Sequence, residues 1–278
     1  DKNGMCRRAM SHFLNQELVK HVLDKYFIEG GKAPETPYIM VPKITLDQKR
    51  DAQEILILSN FVEVWLAKEG HDGIVGINFL HKIQMTTAAS VFGAMLAGVD
   101  YIIMGAGIPR ELPKLIRQIE KLQVGSVPVD VIGGQSVSTS INPLDFVSPD
   151  TKIKKPKFLA IISVDILGQY LARDEETRPD GFIIEHNSAG GHNAPPRGKW
   201  EFDANGEPIY GPKDTADLEK MRKLGLPFWL AGTCGNPLKV KEALEAGAAG
   251  VQVGTLFAIS NHSGFSQRTR QQLIDKLK

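Results

Sequence analysis

What most constrains this chain is a rhythm that begins near residue 70. A short apolar run rich in β-branched residues is followed by a glycine-bearing turn and then by a helical pattern. The runs lie at residues 73–78, 101–104, 158–163, 182–185, 228–231 and 250–254. They are apolar almost throughout rather than alternating, the pattern of strands buried on both faces in a parallel sheet covered by helices. Helical patterns at 86–97, 110–122, 165–175, 214–224 and 237–246 separate them. Regular alternation of strand and helix over this distance means parallel βα units.

The length of 278 residues suits one such domain, because a (β/α)₈ barrel takes about 250 residues. The expected fold class is therefore α/β, a (β/α)₈ TIM barrel, organised as a single domain over 1–278. Residues 127–156 are rich in Gly, Ser, Pro and Asn and read as an irregular insertion, a small hairpin or a lid. The strand count stops at six. Residues 55–58 read either as another strand or as the opening of a helix at 60–68, and the first 40 residues read as a helix at 16–26 and a loop at 30–37. A barrel would thus lack its first one or two strands in this chain; an open doubly wound sheet is the alternative that needs no closure. An internal echo favours the barrel: Ala94, Ala97 and Gly98 precede one strand as Ala243, Ala246 and Gly247 precede another, 149 residues later. That spacing spans four strand–helix units, half of a barrel of eight, although recurrent helix-end chemistry gives the same pattern.

Composition excludes several function classes. Net charge is +1, with neither a basic excess to hold a polyanion nor an acidic tail. The lysines at 152, 154, 155 and 157 sit beside Pro149 and Pro156 and read as a solvated loop. Two distant cysteines, Cys6 and Cys234, argue against a disulfide framework or a Cys-rich metal site and suit a reducing compartment. No apolar run approaches 18 residues, and the polar first residues carry no signal-peptide core, so a cytoplasmic location without membrane or nucleic-acid partners is expected.

Three segments carry candidate chemistry. The first runs from Phe182 through Glu185, His186 and Ser188 to Gly190, Gly191 and His192. A buried strand enters a glycine pair followed by a histidine, and loops after the strands of parallel barrels build active sites. Gly190 and Gly191 allow close backbone approach to a ligand, and His192 offers a base that titrates near neutrality. Glu185, His186 and His192 match no metal-ligand spacing, so no metal is expected. The other two segments are strands that end in Gly232-Thr233 and Gly254-Thr255, with Asn236-Pro237 as a helix start. Barrels commonly bind phosphate after their last two strands, and free amides with threonine hydroxyls suit a phosphate monoester. Asn78, expected at a strand exit, has an amide able to pair with a flavin edge, although taken alone it reads as a helix N-cap or turn residue. Residues 104–109 contain only G-x-G, a weak dinucleotide signal.

These residues together resemble the nitronate monooxygenase family (2-nitropropane dioxygenase-like), FMN-binding TIM barrels related to FMN-dependent enoyl reductases. The resemblance rests on Gly-Ile-Asn at 76–78, Ala-Gly-Gly-His at 189–192, Ala-Gly-Thr at 231–233 and Gly-Val-Gln-Val-Gly-Thr at 250–255, and runs from about 55 to 260. It implies non-covalent FMN at the C-terminal mouth of the barrel. Asn78 and Glu185 would contact the flavin ring, and Gly190 and Gly191 would face the flavin or its phosphate. Gly232, Thr233, Gly254 and Thr255 would cradle the phosphate, with Gln252 nearby, and His192 would be the catalytic acid/base. The implied reaction is oxidation of a nitronate or nitroalkane with O₂. Departures fall on the substrate side: Ser188 replaces an acidic residue, Glu185 a glutamine, Asn193 opens an Asn-Ala-Pro-Pro-Arg run, and Thr233-Cys234 replaces Gly-Ile.

An NAD(P)H-dependent enoyl or quinone reductase with FMN is the alternative within enzymes. A non-catalytic or phospho-ligand-binding barrel is the alternative outside them. A homo-oligomer is compatible with either.

Overall fold

The computed structural model describes residues 1–191 and 193–277. Contacts divide the chain into two compact units, Asp1–Phe158 with Glu175–Arg178, and Leu159–Asp174 with Pro179–Lys278.

The first unit opens with α1 (Met5–Met10), α2 (Gln16–Tyr26) and α3 (Arg50–Lys68). The Asn15 side chain accepts the Leu18 N–H and caps α2, as a residue at that position should. Residues 55–58 lie inside α3. Ile57, Leu58, Phe61, Val62 and Val64 are all buried on it, a spacing of three to four that selects helix over strand. Next come β1 (Gly76–Leu80), α4 (Gln84–Leu96), β2 (Tyr101–Gly105) and α5 (Leu112–Glu120). β1 and β2 pair in parallel, Gly76 beside Tyr101 and Leu80 beside Gly105. α4 is buried without interruption from Thr87 to Met95, because α3 and a β-hairpin both pack on it.

That hairpin is the expected insertion. β3 (Gly125–Val129) and β4 (Val137–Ile141) pair antiparallel, starting two residues before the predicted boundary. It is regular rather than irregular: Val127, Val129, Thr139 and Ile141 are buried, and both strands belong to the unit's packing.

The second unit takes up β5 (Lys157–Ile162) from Leu159 onward. It continues with α6 (Asp165–Ala172), β6 (Gly181–Glu185), α7 (Leu218–Lys223), β7 (Phe228–Ala231), α8 (Pro237–Glu245), β8 (Gly250–Gln252), α9 (Thr255–Ala258) and α10 (Gln267–Leu277). β5, β6, β7 and β8 pair in parallel in chain order. The fold is α/β, and its six parallel strands with their intervening helices are those of a partial (β/α)₈ barrel. Burial on both faces holds for β5 and β6 but not for β1 or β8, which each have one strand neighbour among the described residues. No helix among the described residues is long and apolar enough to cross a membrane.

The Ala-Gly echo has a local cause. Gly98 and Gly247 take φ of +74° and +88°, just past the ends of α4 and α8. Gly98 N–H bonds Met95 O and Val99 N–H bonds Ala94 O; Gly247 and Ala248 repeat this on Leu244 and Ala243. Both are Schellman caps, which call for glycine and a following apolar residue. The echo thus reports helix ends and carries no separate weight for barrel symmetry.

Asp100, between α4 and β2, holds three parts of the first unit together. Its carboxylate accepts from Lys68 Nζ at the end of α3 (2.5 Å), from Lys154 Nζ (2.9 Å) and from Val75 N before β1 (3.1 Å). The Lys68 bond leads in holding its carboxyl far below the usual carboxylate range. A depressed folded-state pKa means that this stabilisation is complete above the unfolded value of about 3.9 and fades as pH falls below it. Asp100→Asn is therefore expected to cost about 1–3 kcal/mol at neutral pH. It should also flatten the loss of stability below about pH 4, read from urea midpoints across that range. Equal pH slopes for both proteins would show that Asp100 is not the acid-sensitive group.

Candidate active site

β6, β7 and β8 deliver the site in the second unit. Across them Glu185 lies beside Ala231, and Ala231 beside Gln252. Paired residues of neighbouring strands share a face, so Glu185 and Gln252 flank the small Ala231 about 10 Å apart. One layer down, Ile183, Trp229 and Gly250 form the same row. A Cβ on Gly250 would lie 3.1 Å from the Trp229 indole, a tight contact. The polar–small–polar row over an aromatic layer was hidden in the sequence, since it appears only once the strand registers are known.

The turns after these strands are bound to one another. His186 N–H donates to Ala231 O (2.9 Å), carrying the β6–β7 ladder one residue past Glu185. Ser188 N–H donates to His186 Nδ1 (3.2 Å), and the Ser188 hydroxyl lies 2.8 Å from the same nitrogen. Nδ1 is therefore an acceptor and the neutral ring carries its proton on Nε2. Ser188 Oγ also meets Thr233 Oγ1 at 3.3 Å, tying the β6 exit to the β7 exit. Gly232 has φ +114°, and a Cβ on it would lie 2.9 Å from His186 Cβ and 3.0 Å from Ser188 Oγ. Thr233 follows at φ +52°, a left-handed conformation that costs a non-glycine residue about 1–2 kcal/mol and that clusters at ligand sites.

The predicted glycine–threonine pairs meet in part. A Cβ on Gly190 would lie 2.6 Å from Thr255 Oγ1, so the β6 turn and the start of α9 are in direct contact. Gly191 has φ +91°, and the space where its Cβ would stand is open, as it is at Gly254. Two expectations change here. β8 ends at Gln252, so Gly254 lies outside the strand, and Thr255 is the first residue of α9 with Gly254 as its N-cap. Asn78 is not at a strand exit: β1 continues to Leu80, and Asn78 is an exposed residue in mid-strand of the first unit. The apolar Phe79 and Leu80 prolong the β pattern past it. His192 lies outside the described residues.

Asn236 caps α8 through its side chain, which accepts Lys239 N–H at 3.0 Å, with Pro237 in the first turn as expected. Cys234 donates to Gly232 O (3.1 Å), and burial pushes its thiol up. A cavity of about 380 Å³ is lined by His186, Ser188, Thr233 and Cys234 together with the apolar Ile184, Leu230 and Ala243.

The long connection after β6 is also fixed. Asp214 accepts from Gly211 N and Arg197 N, each at 2.7 Å, and these two backbone bonds lower its carboxyl pKa. Tyr210 OH donates to Ala194 O at 3.0 Å. Arg197, Tyr210 and Asp214 with Glu185 line one narrow cleft. The Asn-Ala-Pro-Pro-Arg departure therefore forms a wall beside Glu185, a placement its composition did not reveal.

The G-x-G at 104–109 has a packing role. Gly107 faces the His81 ring, whose Nδ1 would be 2.2 Å from an added Cβ. His81 Nε2 pairs with Glu111 Oε1 at 2.9 Å. Among the described residues, His21, Asp51 and Glu54 bring ligand-type atoms within 4.8 Å. Arg50 on Glu54 and Lys25 on Asp51 already supply the positive charge that a metal would bring.

No family model matches the chain, and no curated protein matches it. Among solved structures, that of a FabK mutant from Thermotoga maritima is similar with a TM-score of 0.49 and 18% sequence identity. The likeness covers 77% of this chain and 54% of that one, so this chain spans about half the length of its solved neighbour.

Proposed function

We propose that this chain is the catalytic part of an FMN-dependent oxidoreductase, of nitronate monooxygenase type. The observation that supports it best is the glycine–threonine cluster at the ends of β6, β7 and β8. Gly190 rests on Thr255 with no room for a side chain, while Gly191 and Gly254 face open space. Backbone amides free of Cβ atoms, two threonine hydroxyls and the start of a helix make a donor set that fits a phosphate monoester.

In this reading Gly190, Gly191, Gly232, Thr233, Gly254 and Thr255 hold the FMN phosphate. Glu185 and Gln252 border the ring, with Ala231 leaving space between them. Asn78 as a ring contact and His192 as acid/base rest on the sequence resemblance alone. Bound FMN would supply a two-electron acceptor that also works in single-electron steps. The protein's own share is to fix the phosphate, to keep the substrate-side wall of Arg197 and Tyr210 in place, and to take a proton from the substrate carbon at the His192 imidazole. Substrate would be a small nitronate or nitroalkane, with O₂ as acceptor. An enoyl or quinone reductase would share the phosphate cradle and use NAD(P)H instead.

The test is a spectrum followed by turnover. The purified protein, supplied with FMN, is expected to show the oxidised-flavin bands and to consume O₂ with a nitronate in the absence of nicotinamide. NADH oxidation without nitronate-dependent O₂ uptake would move the assignment to the reductases. A protein that neither carries nor takes up FMN would end the flavoenzyme reading.

A further inference from the structure

The second unit holds a pocket that the flavin reading leaves unassigned. Its volume of about 380 Å³ falls within the roughly 300–1,000 Å³ of small-molecule sites. Ile184 of β6 and Leu230 of β7 are paired in register, and both line it. Lys239, Glu242 and Ala243 of α8 and Ala246 at its end line it too. These are positions i, i+3, i+4 and i+7, one face of a helix. The pocket therefore lies between the β6–β7 pair and α8. Side chains alternate between the faces of a strand, so Glu185 stands on the opposite face of β6 from Ile184. Glu185 and its row partner Gln252 lie outside the pocket lining.

Burial grades the lining from apolar to polar. Ile184 and Ala243 are buried and Leu218, Leu230 and Ala246 half-buried, whereas His186, Ser188 and Thr233 are exposed. The apolar residues thus form the depth of the pocket and the polar ones its mouth. The wall from Asp214 to Leu218 is fixed at both ends. Asp214 accepts the Gly211 and Arg197 amides, and the buried Asp165 accepts the Asp217 amide at 3.2 Å. Small-molecule sites are usually formed in advance in this way.

The lining also selects the kind of molecule that fits. The charged groups that reach it are already engaged: Lys239 pairs with Glu242 at 2.8 Å, and Asp214 holds its two amides. A charged ligand would be desolvated there without a free counter-charge, which disfavours phosphates and carboxylates. One donor is free. His186 accepts through Nδ1, so its neutral ring offers Nε2–H, which has no partner among the described residues. The β6–β7 ladder continues to His186, so this side chain shares the face of Ile184. We infer that the pocket binds a small uncharged molecule with an apolar body and one hydroxyl or carbonyl oxygen, about the size of a substituted phenol, with that oxygen on His186 Nε2–H. Such a site needs no flavin.

Fluorine NMR titration of 4-fluorophenol into the full chain, first without FMN, tests this. Saturable binding is expected with a Kd of roughly 0.1–1 mM, as for a ligand of so few atoms. Ala243→Met and Ala246→Leu fill the pocket from α8 and should each weaken binding at least about tenfold. His186→Ala leaves the pocket open and removes the donor. It should weaken 4-fluorophenol about threefold to tenfold and leave the affinity for fluorobenzene unchanged. This last comparison stands even if the filled variants fail to fold, which thermal unfolding would show. No saturable binding to the parent protein would overturn the proposal. So would binding that survives in both folded, filled variants and is displaced by FMN, which would place the phenol in the flavin site. A protein that binds the phenol in this pattern but takes up no FMN would end the flavin reading and leave the pocket standing.

Discussion

Gly93→Ala in α4 is expected to destabilise the first unit by at least about 2 kcal/mol, and to lower its thermal midpoint by roughly 4–8 °C. The direction is not obvious, because alanine in a helix interior is favoured over glycine by about 1 kcal/mol. The neighbour decides it. A Cβ on Gly93 would lie 2.2 Å from the Ile57 carbonyl oxygen and 2.9 Å from Ile57 C and Cα. These are backbone atoms of α3, so α3 and α4 must separate. Overpacking a fixed core costs about 1–3 kcal/mol or more, which exceeds the gain in propensity. Gly168→Ala in α6 is the control. Its Cβ would meet the Met221 thioether, Sδ at 2.8 Å and Cε at 2.9 Å, the end of a flexible side chain that can move aside. Calorimetry should find Gly168→Ala within about 1 kcal/mol of the parent. Equal losses for both variants would show that the α3–α4 approach is not what glycine serves at 93.

The contrast between these glycines shows why part of this molecule was legible in sequence and part was not. Strand and helix identity was readable because it is written in local periodicity. All six predicted strands form, and the helix predicted at 16–26 has those bounds. Helix ends were less readable. The helix expected at 214–224 shortens to Leu218–Lys223 because the Asp217 carboxylate caps it through the Glu219 and Lys220 amides. The ambiguous run at 55–58 was settled by tertiary packing, with Ile57 and Leu58 buried on α3. Gly190 and Thr255 were each visible as turn chemistry, but their contact joins residues 65 positions apart and depends on strand order. The Ser188–Thr233 link is of the same kind. The end of β1 was misplaced for a simpler reason: a polar residue inside an apolar run looks like the end of a strand, yet β1 continues past Asn78 through Phe79 and Leu80.

If the glycine–threonine cluster holds a phosphate, Thr255→Ala should weaken FMN binding about 10- to 100-fold. A hydrogen bond to a charged group contributes about 1.5–3 kcal/mol, and each 1.4 kcal/mol is tenfold in Kd. Gly190→Val should do at least as much harm, because it places atoms where the backbone has to approach the ligand. The two variants separate contact from binding. The Cβ of a residue at 190 would collide with Thr255 Oγ1 at 2.6 Å. If Gly190 is glycine only to admit Thr255, then Gly190→Ala combined with Thr255→Ala removes the collision and should bind no worse than Thr255→Ala alone. If Gly190 also faces the phosphate, the double variant should fall below either single one, since both the close approach and the hydroxyl are lost. Fluorescence titration of FMN into the apoprotein gives the Kd values, and thermal midpoints without FMN show whether the variants remain folded. An unchanged Kd for Thr255→Ala and Gly190→Val in folded protein would remove this cluster from the flavin site, and with it the strongest support for a flavoenzyme.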